Sequence, residues 1–145
     1  SGPARVCDVG TGSGAIAIAI ARACPEALVW ATDTSRYAVA LARANVRRHG
    51  LDGRVVVEHG DLLDPVPGQL DVIVANLPYL PLELAAQRPE LAAEPPEAVF
   101  AAGDGLDPYR RLLAAAPERL VPDGRLLIQL HRRVHSFSRS ALDAR

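Results

Sequence analysis

The run Val6-Cys7-Asp8-Val9-Gly10-Thr11-Gly12-Ser13-Gly14-Ala15-Ile16-Ala17 constrains the fold more than any other part of the chain. A short β-branched apolar run meets a glycine-rich turn, and the turn opens into a dense Ala/Ile pattern, which reads as strand, loop and helix. A turn that leaves a buried parallel strand and enters a helix within about five residues requires positive φ and little side-chain bulk, and glycine at positions 10, 12 and 14 supplies both. Such a turn offers bare backbone N–H groups and a helix N-terminus to a ligand. Gly10, Gly12 and Ala15 also satisfy the G-x-G-x-x-G/A spacing of dinucleotide-binding loops. Asp8 pulls the other way: a carboxylate two residues before the first glycine repels a pyrophosphate and suits a ligand that carries an ammonium group. The same residues would also serve a ligand-free strand-to-helix turn.

Length and composition narrow the class. The 145 residues suit one domain with a real core, and 49% hydrophobic with 23% charged residues is a globular balance. No apolar run approaches the ~20 residues needed to span a bilayer. Cys7 in the first strand and Cys24 at a helix end fit no disulfide or metal-ligand spacing, so reduced thiols, no metal and a cytoplasmic location are expected. A net charge of −1 weighs against gripping a long stretch of nucleic acid by phosphate neutralisation. The chain has no methionine and starts on Ser1, which suggests a piece of a longer protein or a processed product.

Taken in order, the chain alternates strands and helices, the pattern of an α/β, doubly wound parallel sheet. Arg5 to Val9 reads as the first strand, and Ala15 to Ala23 as a helix with no polar face before Arg22, expected to be largely buried. Ala27 to Thr32 is the second apolar run and ends at Asp33, where such a fold chelates ribose hydroxyls; Asp33 would also serve as a helix N-cap, as would Thr34 or Ser35. Ser35 to His49 has helical spacing and stops at Gly50. Arg54 to His59 is the third strand. Asp61 behind it suits the exocyclic amine of an adenine, with Leu62 over the ring, or else is a plain turn residue. Leu70 to Ala75 is a fourth strand of the continuously apolar kind found in mid-sheet, and it ends in Asn76-Leu77-Pro78-Tyr79. The ends of strands one and four flank the topological switch point of such a sheet, so Asn76 is expected beside the Gly10 loop. An amide oxygen, a proline-stiffened backbone and an aromatic ring can accept N–H bonds from a planar amine or amide and stack on its face; a strand end followed by a turn has the same look. Pro81 to Ala102 reads as a loop or short helix. Asp107-Pro108 reads as an N-cap and first-turn proline for a helix facing inward through Tyr109, Leu112, Leu113 and Ala116. Arg125 to Leu130 is the fifth strand, and residues 131–145 a tail of uncertain structure beyond a domain of residues 1–130.

The order Asp8 to Gly14, Asp33, Gly60-Asp61-Leu62 and Asn76 to Tyr79 is similar to class I S-adenosylmethionine-dependent methyltransferases acting on planar nitrogens. Adding Glu94-Pro95-Pro96-Glu97-Ala98-Val99, Gly103 to Asp107 and Tyr109-Arg110, the chain resembles the HemK/PrmC family, N(5)-glutamine methyltransferases of peptide chain release factors, from about Val6 to Leu130. The resemblance implies a Rossmann-like methyltransferase fold and S-adenosyl-L-methionine as cofactor. It implies a cofactor site of Asp8, Gly10, Thr11, Gly12, Ser13, Gly14, Asp33, Asp61, Leu62 and Asn76. A substrate site of Asn76, Leu77, Pro78 and Tyr79 follows, with Asn76 and Tyr79 as the catalytic pair, a release factor as partner and neither metal nor membrane involved.

The chain departs from the family in three places and at its ends. Leu77 replaces the first proline of the usual Asn-Pro-Pro-Tyr, which keeps the carbonyl and loses one rigid φ. Ala102 stands where glycine is common, and Gln129 where glutamate is common. Asn-Leu-Pro-Tyr also resembles ribosomal RNA adenine dimethyltransferases, which usually carry Glu at the place of Asp8, so an N6-adenine methyltransferase acting on RNA or DNA is the alternative enzyme. Family members carry an N-terminal helical domain and two strands after the fifth, so the sheet is expected to be truncated after its fifth strand with an open edge. A cofactor-binding remnant without turnover is the reading from a different class.

Overall fold

The computed structural model describes residues 2–78, 80–81, 100–101 and 105–129. Among them, five strands form one parallel sheet: β1 (Arg5–Val9), β2 (Leu28–Asp33), β3 (Val55–His59), β4 (Leu70–Ala75) and, furthest along the chain, β7 (Leu120–Ile128), in the order β3-β2-β1-β4-β7. From β1 the chain winds outward through α1 (Ala15–Ala23) to β2 and through α2 (Arg36–Arg48) to β3, then crosses back to β4 on the other side of β1. The switch point therefore lies between β1 and β4, as the alternation of elements anticipates.

Period-two alternation sorts the core onto two faces. Val6, Val29, Ala31, Val55 and Val57 pack under α1 and α2 against Ala17, Ile18, Ala21, Val39, Ala42 and Val46. Cys7, Val9, Trp30, Ile73 and Ala75 face the other way, onto α3 (Asp107–Arg119) through Tyr109, Leu112 and Ala116, and onto Leu63 and Val66 of the segment after β3. Arg119 anchors that segment from the last turn of α3, donating to the carbonyls of Leu63 at 2.9 Å and Gly68 at 3.2 Å.

Several elements differ from the sequence reading. In α1 only Ala17, Ile18 and Ala21 are buried; Ala15 and Ala19 are exposed, because one side of the helix meets the sheet and alanine on the other side leaves little apolar surface to hide. In β4, Val72 and Val74 are only half-buried, packed against the core cluster that α1 and α2 form with the sheet. α3 starts at Asp107 itself behind Leu106, which gives no side-chain cap, so Asp107 is a first-turn acid that complements the helix dipole. β7 begins five residues earlier than Arg125: Leu120 pairs with Leu70 and Arg125 with Val72, and the extra residues bulge out around Asp123 at φ +66°. Pro81 and Ala101, assigned above to a loop or short helix, lie in a two-stranded parallel sheet, β5 (Leu80–Pro81) with β6 (Phe100–Ala101). Tyr79, Glu94 to Val99 and the tail of 131–145 lie outside the described residues. No helix among the described residues is long and apolar enough to cross a membrane.

Candidate active site

At the carboxyl ends of the strands a cavity of about 370 Å³ opens, within the range of small-molecule sites. Three parts of the sequence reading meet on its wall: Gly10, Gly12 and Ser13 after β1; Asp33 at the end of β2 with Asp61 and Leu62 after β3; and Asn76, Leu77 and Pro78 after β4. Asp8, Thr11 and Gly14 do not line it.

The three glycines have positive φ for three different tertiary reasons. At Gly10, φ +70°, an added Cβ would stand 2.7 Å from Leu77 Cδ2, so the loop and the β4 turn touch. At Gly14, φ +82°, the Cβ would meet that of Ala42 on α2 at 3.2 Å. At Gly12, φ +56°, nothing lies within 4 Å, and the bare backbone faces the cavity. The loop is tied down as well: the N–H groups of Gly10 and Thr11 both donate to the Thr32 carbonyl at 2.9 Å, and Asn45 Nδ2 donates to the Ser13 carbonyl at 2.9 Å.

Asp8 braces this loop from within. It is 1% exposed and points to the α1 side, where Oδ2 accepts from the Thr11 hydroxyl at 2.6 Å and from the Ala17 N–H at 3.1 Å. Its Oδ1 is buried with no partner. Burial pushes the Asp8 carboxyl above its usual value, against the bonds from Thr11 and Ala17 that favour the charged form. An unpartnered buried carboxylate oxygen is costly, and the upward shift is how burial relieves that cost, by favouring the neutral acid.

Asp33 latches the loop from the cavity side. Oδ2 accepts the Gly12 N–H and Oδ1 the Ser35 N–H, each at 2.9 Å. The N-cap of α2 is Ser35, whose Oγ accepts from Ala38 at 3.3 Å, so Asp33 is not needed as a cap. A carboxylate has about four acceptor positions, so two further donors fit on Asp33.

Four contributors escape sequence reading. Thr32, fully buried, donates its hydroxyl to the Leu62 carbonyl at 2.7 Å and so holds Leu62 at φ +46°, a conformation leucine rarely adopts. Only the strained φ reveals that role. Arg111 on α3 lines the cavity and forms an ion pair with Asp61 Oδ2, the carboxylate expected to meet an adenine amine. Tyr37, 73% exposed at the start of α2, lines the cavity as well. Tyr109, legible as an inward-facing helix residue, carries a hydroxyl that accepts from the Leu77 N–H at 3.1 Å and lies 2.9 Å from the carbonyls of both Leu77 and Gln129.

Comparison with known proteins agrees with this geometry. A chain of Gloeobacter violaceus named release factor glutamine methyltransferase is 45% identical over 130 residues, 88% of this chain and 46% of that protein. A ribosomal protein uL3 glutamine methyltransferase of Bradyrhizobium diazoefficiens is 46% identical over 130 residues, 88% of this chain and 41% of that protein. The chain thus spans somewhat under half the length of these curated relatives. Among solved structures, a ribosomal protein L11 methylase of Lactobacillus delbrueckii subsp. bulgaricus superposes with a TM-score of 0.69 at 26% identity, over 97% of this chain and 58% of that one. A methyltransferase of Thiobacillus denitrificans in complex with S-adenosyl-L-homocysteine shares the fold with a TM-score of 0.58 at 20% identity, over 96% of this chain and 50% of that one. The family model described as methyltransferase small domain matches residues 2–88, a span that carries every wall of the cavity except α3. The chain belongs to the methyltransferase small domain family.

Proposed function

We propose that the cavity binds S-adenosylmethionine and that the protein methylates a planar amide nitrogen, the side chain of a glutamine in a peptide chain release factor. The observation that carries this reading is the meeting of Asn76 with the Gly10–Gly12 loop and Asp33 on one cavity wall, although they lie far apart in sequence.

The residues present suit this cofactor better than a dinucleotide. Gly12 leaves backbone bare where a ligand approaches, and negative charge on Asp8, buried behind the loop, would favour an amino-acid ammonium in the cavity over a pyrophosphate. Asp33 has acceptor capacity for two ribose hydroxyls, and Leu62 offers an apolar side chain beside Asp61. When bound, the cofactor supplies an electrophilic methyl group on a sulfonium.

The chain's own work is positioning. An amide nitrogen is a poor nucleophile because its lone pair is delocalised. Accepting its two N–H bonds at the Asn76 side-chain oxygen and the Leu77 carbonyl localises that pair on nitrogen, and Tyr79 follows in sequence as the aromatic face. Holding the reactants in line is worth up to about 7 to 11 kcal/mol. Relatives at nearly equal identity are named for a release factor and for ribosomal protein uL3, and both names specify glutamine, which supports an amide acceptor in the translation machinery and a cytoplasmic site of action. The test is incubation of the full-length protein with labelled S-adenosylmethionine and, separately, release factor, ribosomal protein uL3 and ribosomal RNA. Label on a release-factor glutamine is expected; label on an adenine of the RNA overturns the amide reading.

A further inference from the structure

The parallel ladder between β4 and β7 stops one rung early, and a side chain occupies the missing rung. Ala75 pairs with Ile128, and Gln129 N–H donates to the Ala75 carbonyl at 3.0 Å. In a parallel ladder the next bond runs from the Leu77 N–H to the Gln129 carbonyl. Here the Leu77 N–H donates instead to the Tyr109 hydroxyl at 3.1 Å, and that hydroxyl lies 2.9 Å from the Gln129 carbonyl. The phenol is inserted as a relay between the two strand ends. Its single proton is shared between the Gln129 carbonyl and the Leu77 carbonyl, also at 2.9 Å. Tyr109 is 3% exposed, so water cannot readily replace it.

We propose that Tyr109 is a positioning residue for the methyl acceptor: its hydroxyl, standing in for a rung of the β4–β7 ladder, fixes the Asn76–Leu77 backbone. This rests on the reading that Asn76 and the Leu77 carbonyl receive the acceptor nitrogen. Leu77 is then held at both ends, by Tyr109 at its backbone and by Gly10 at its side chain. Tyr109 does not line the cavity wall that carries Gly12, Asp33 and Leu62, so the effect is expected on transfer and not on cofactor binding.

Tyr109→Phe keeps the ring in the gap and removes the hydroxyl that forms the relay, taking from the Leu77 N–H the acceptor it has here. In the full-length protein it is expected to lower turnover about a hundredfold, the scale of a misplacement near 1 Å. S-adenosylhomocysteine affinity stays at the wild-type value, and the Leu77 amide exchanges faster with solvent while the amides of β1 and β2 do not. Unchanged turnover, or cofactor affinity falling in step with turnover, overturns the proposal. So does unchanged exchange at Leu77, a readout that stands even if the wild type methylates none of the acceptors offered, in which case the functional reading alone fails. Should Tyr109→Phe not fold, 3-fluorotyrosine at position 109 keeps the oxygen and weakens it as an acceptor; the Leu77 amide resonance then shifts, and its failure to shift refutes the relay.

Discussion

Gly10 and Gly12 sit two residues apart in one loop, yet the structure assigns their missing side chains to different tasks, and alanine at each should fail differently. At Gly10 an alanine adopts φ +70° and pushes its Cβ to 2.7 Å from Leu77 Cδ2. The left-handed backbone costs about 1 to 2 kcal/mol, and forcing Leu77 aside in a packed wall costs about 1 to 3 more. The sum, about 2 to 5 kcal/mol, is a large part of the stability of a domain this size. At Gly12 the backbone term is similar, but nothing lies within 4 Å of the new Cβ, so the loss of stability stops at about 1 to 2 kcal/mol. That Cβ instead enters the space the ligand needs. The assay is thermal unfolding with and without S-adenosylhomocysteine. At a hundred times its dissociation constant the ligand stabilises the wild type by about 2.7 kcal/mol, or roughly 5 to 10 °C at this size, whereas NAD gives no shift. Gly10→Ala should melt well below Gly12→Ala in the absence of ligand, and Gly12→Ala should lose the ligand shift. A Gly12→Ala protein that keeps the full shift would refute the approach of the ligand to this backbone, and a larger shift with NAD would return the loop to the dinucleotide class.

Asn76→Ala in the full-length enzyme should lower turnover about a hundredfold to a thousandfold with little effect on cofactor affinity, as for loss of one preorganised polar contact; near-normal turnover would reduce the tetrapeptide to a turn. Because burial holds the Asp8 carboxyl above its ordinary 3.8, the native state keeps a proton that the unfolded chain releases in the window above that value, so this group makes stability rise as pH falls through the window. Asp8→Asn should flatten that slope in melting curves taken at pH values rising from the ordinary 3.8, and an unchanged slope would place the titration elsewhere. Thr32→Val removes the donor that holds the Leu62 carbonyl and should cost about 1 to 3 kcal/mol in denaturant unfolding, with weaker S-adenosylhomocysteine binding; full affinity would free Leu62 of a role in the site.

The legible part of this protein is the part that local sequence dictates. Strand–glycine–helix chemistry at Val6 to Ala17 and the alternation of apolar runs were enough for the parallel sheet, its switch point and the meeting of Gly10 with Asn76. What escaped was set by partners distant in sequence. Nothing near Arg111 in sequence announces Asp61, and nothing near Thr32 announces the strained Leu62. The start of β7 was missed because Pro122-Asp123-Gly124 has turn composition, and only pairing with Leu70 keeps Leu120 in the strand. α1 read as buried because its sequence is apolar throughout, while burial depends on which side meets the sheet.

Leu77 shows how far such tertiary partners can alter the meaning of a motif. Judged locally, its replacement of proline only relaxes one φ. In the structure it also brings an N–H that proline lacks, and Tyr109 accepts it; it brings an apolar side chain too, which closes on Gly10 where a Cβ has no room. The restraint that a proline ring supplies from within the chain is supplied here by two contacts that exist only once the sheet has formed. Exchanging Leu77 for proline would restore the ring, delete the donor that faces the Tyr109 hydroxyl and empty the contact with Gly10, so the substitution is no simple repair. The tetrapeptide works in this chain as one side of a three-part fit, with the glycine loop before it and the phenol of α3 behind it.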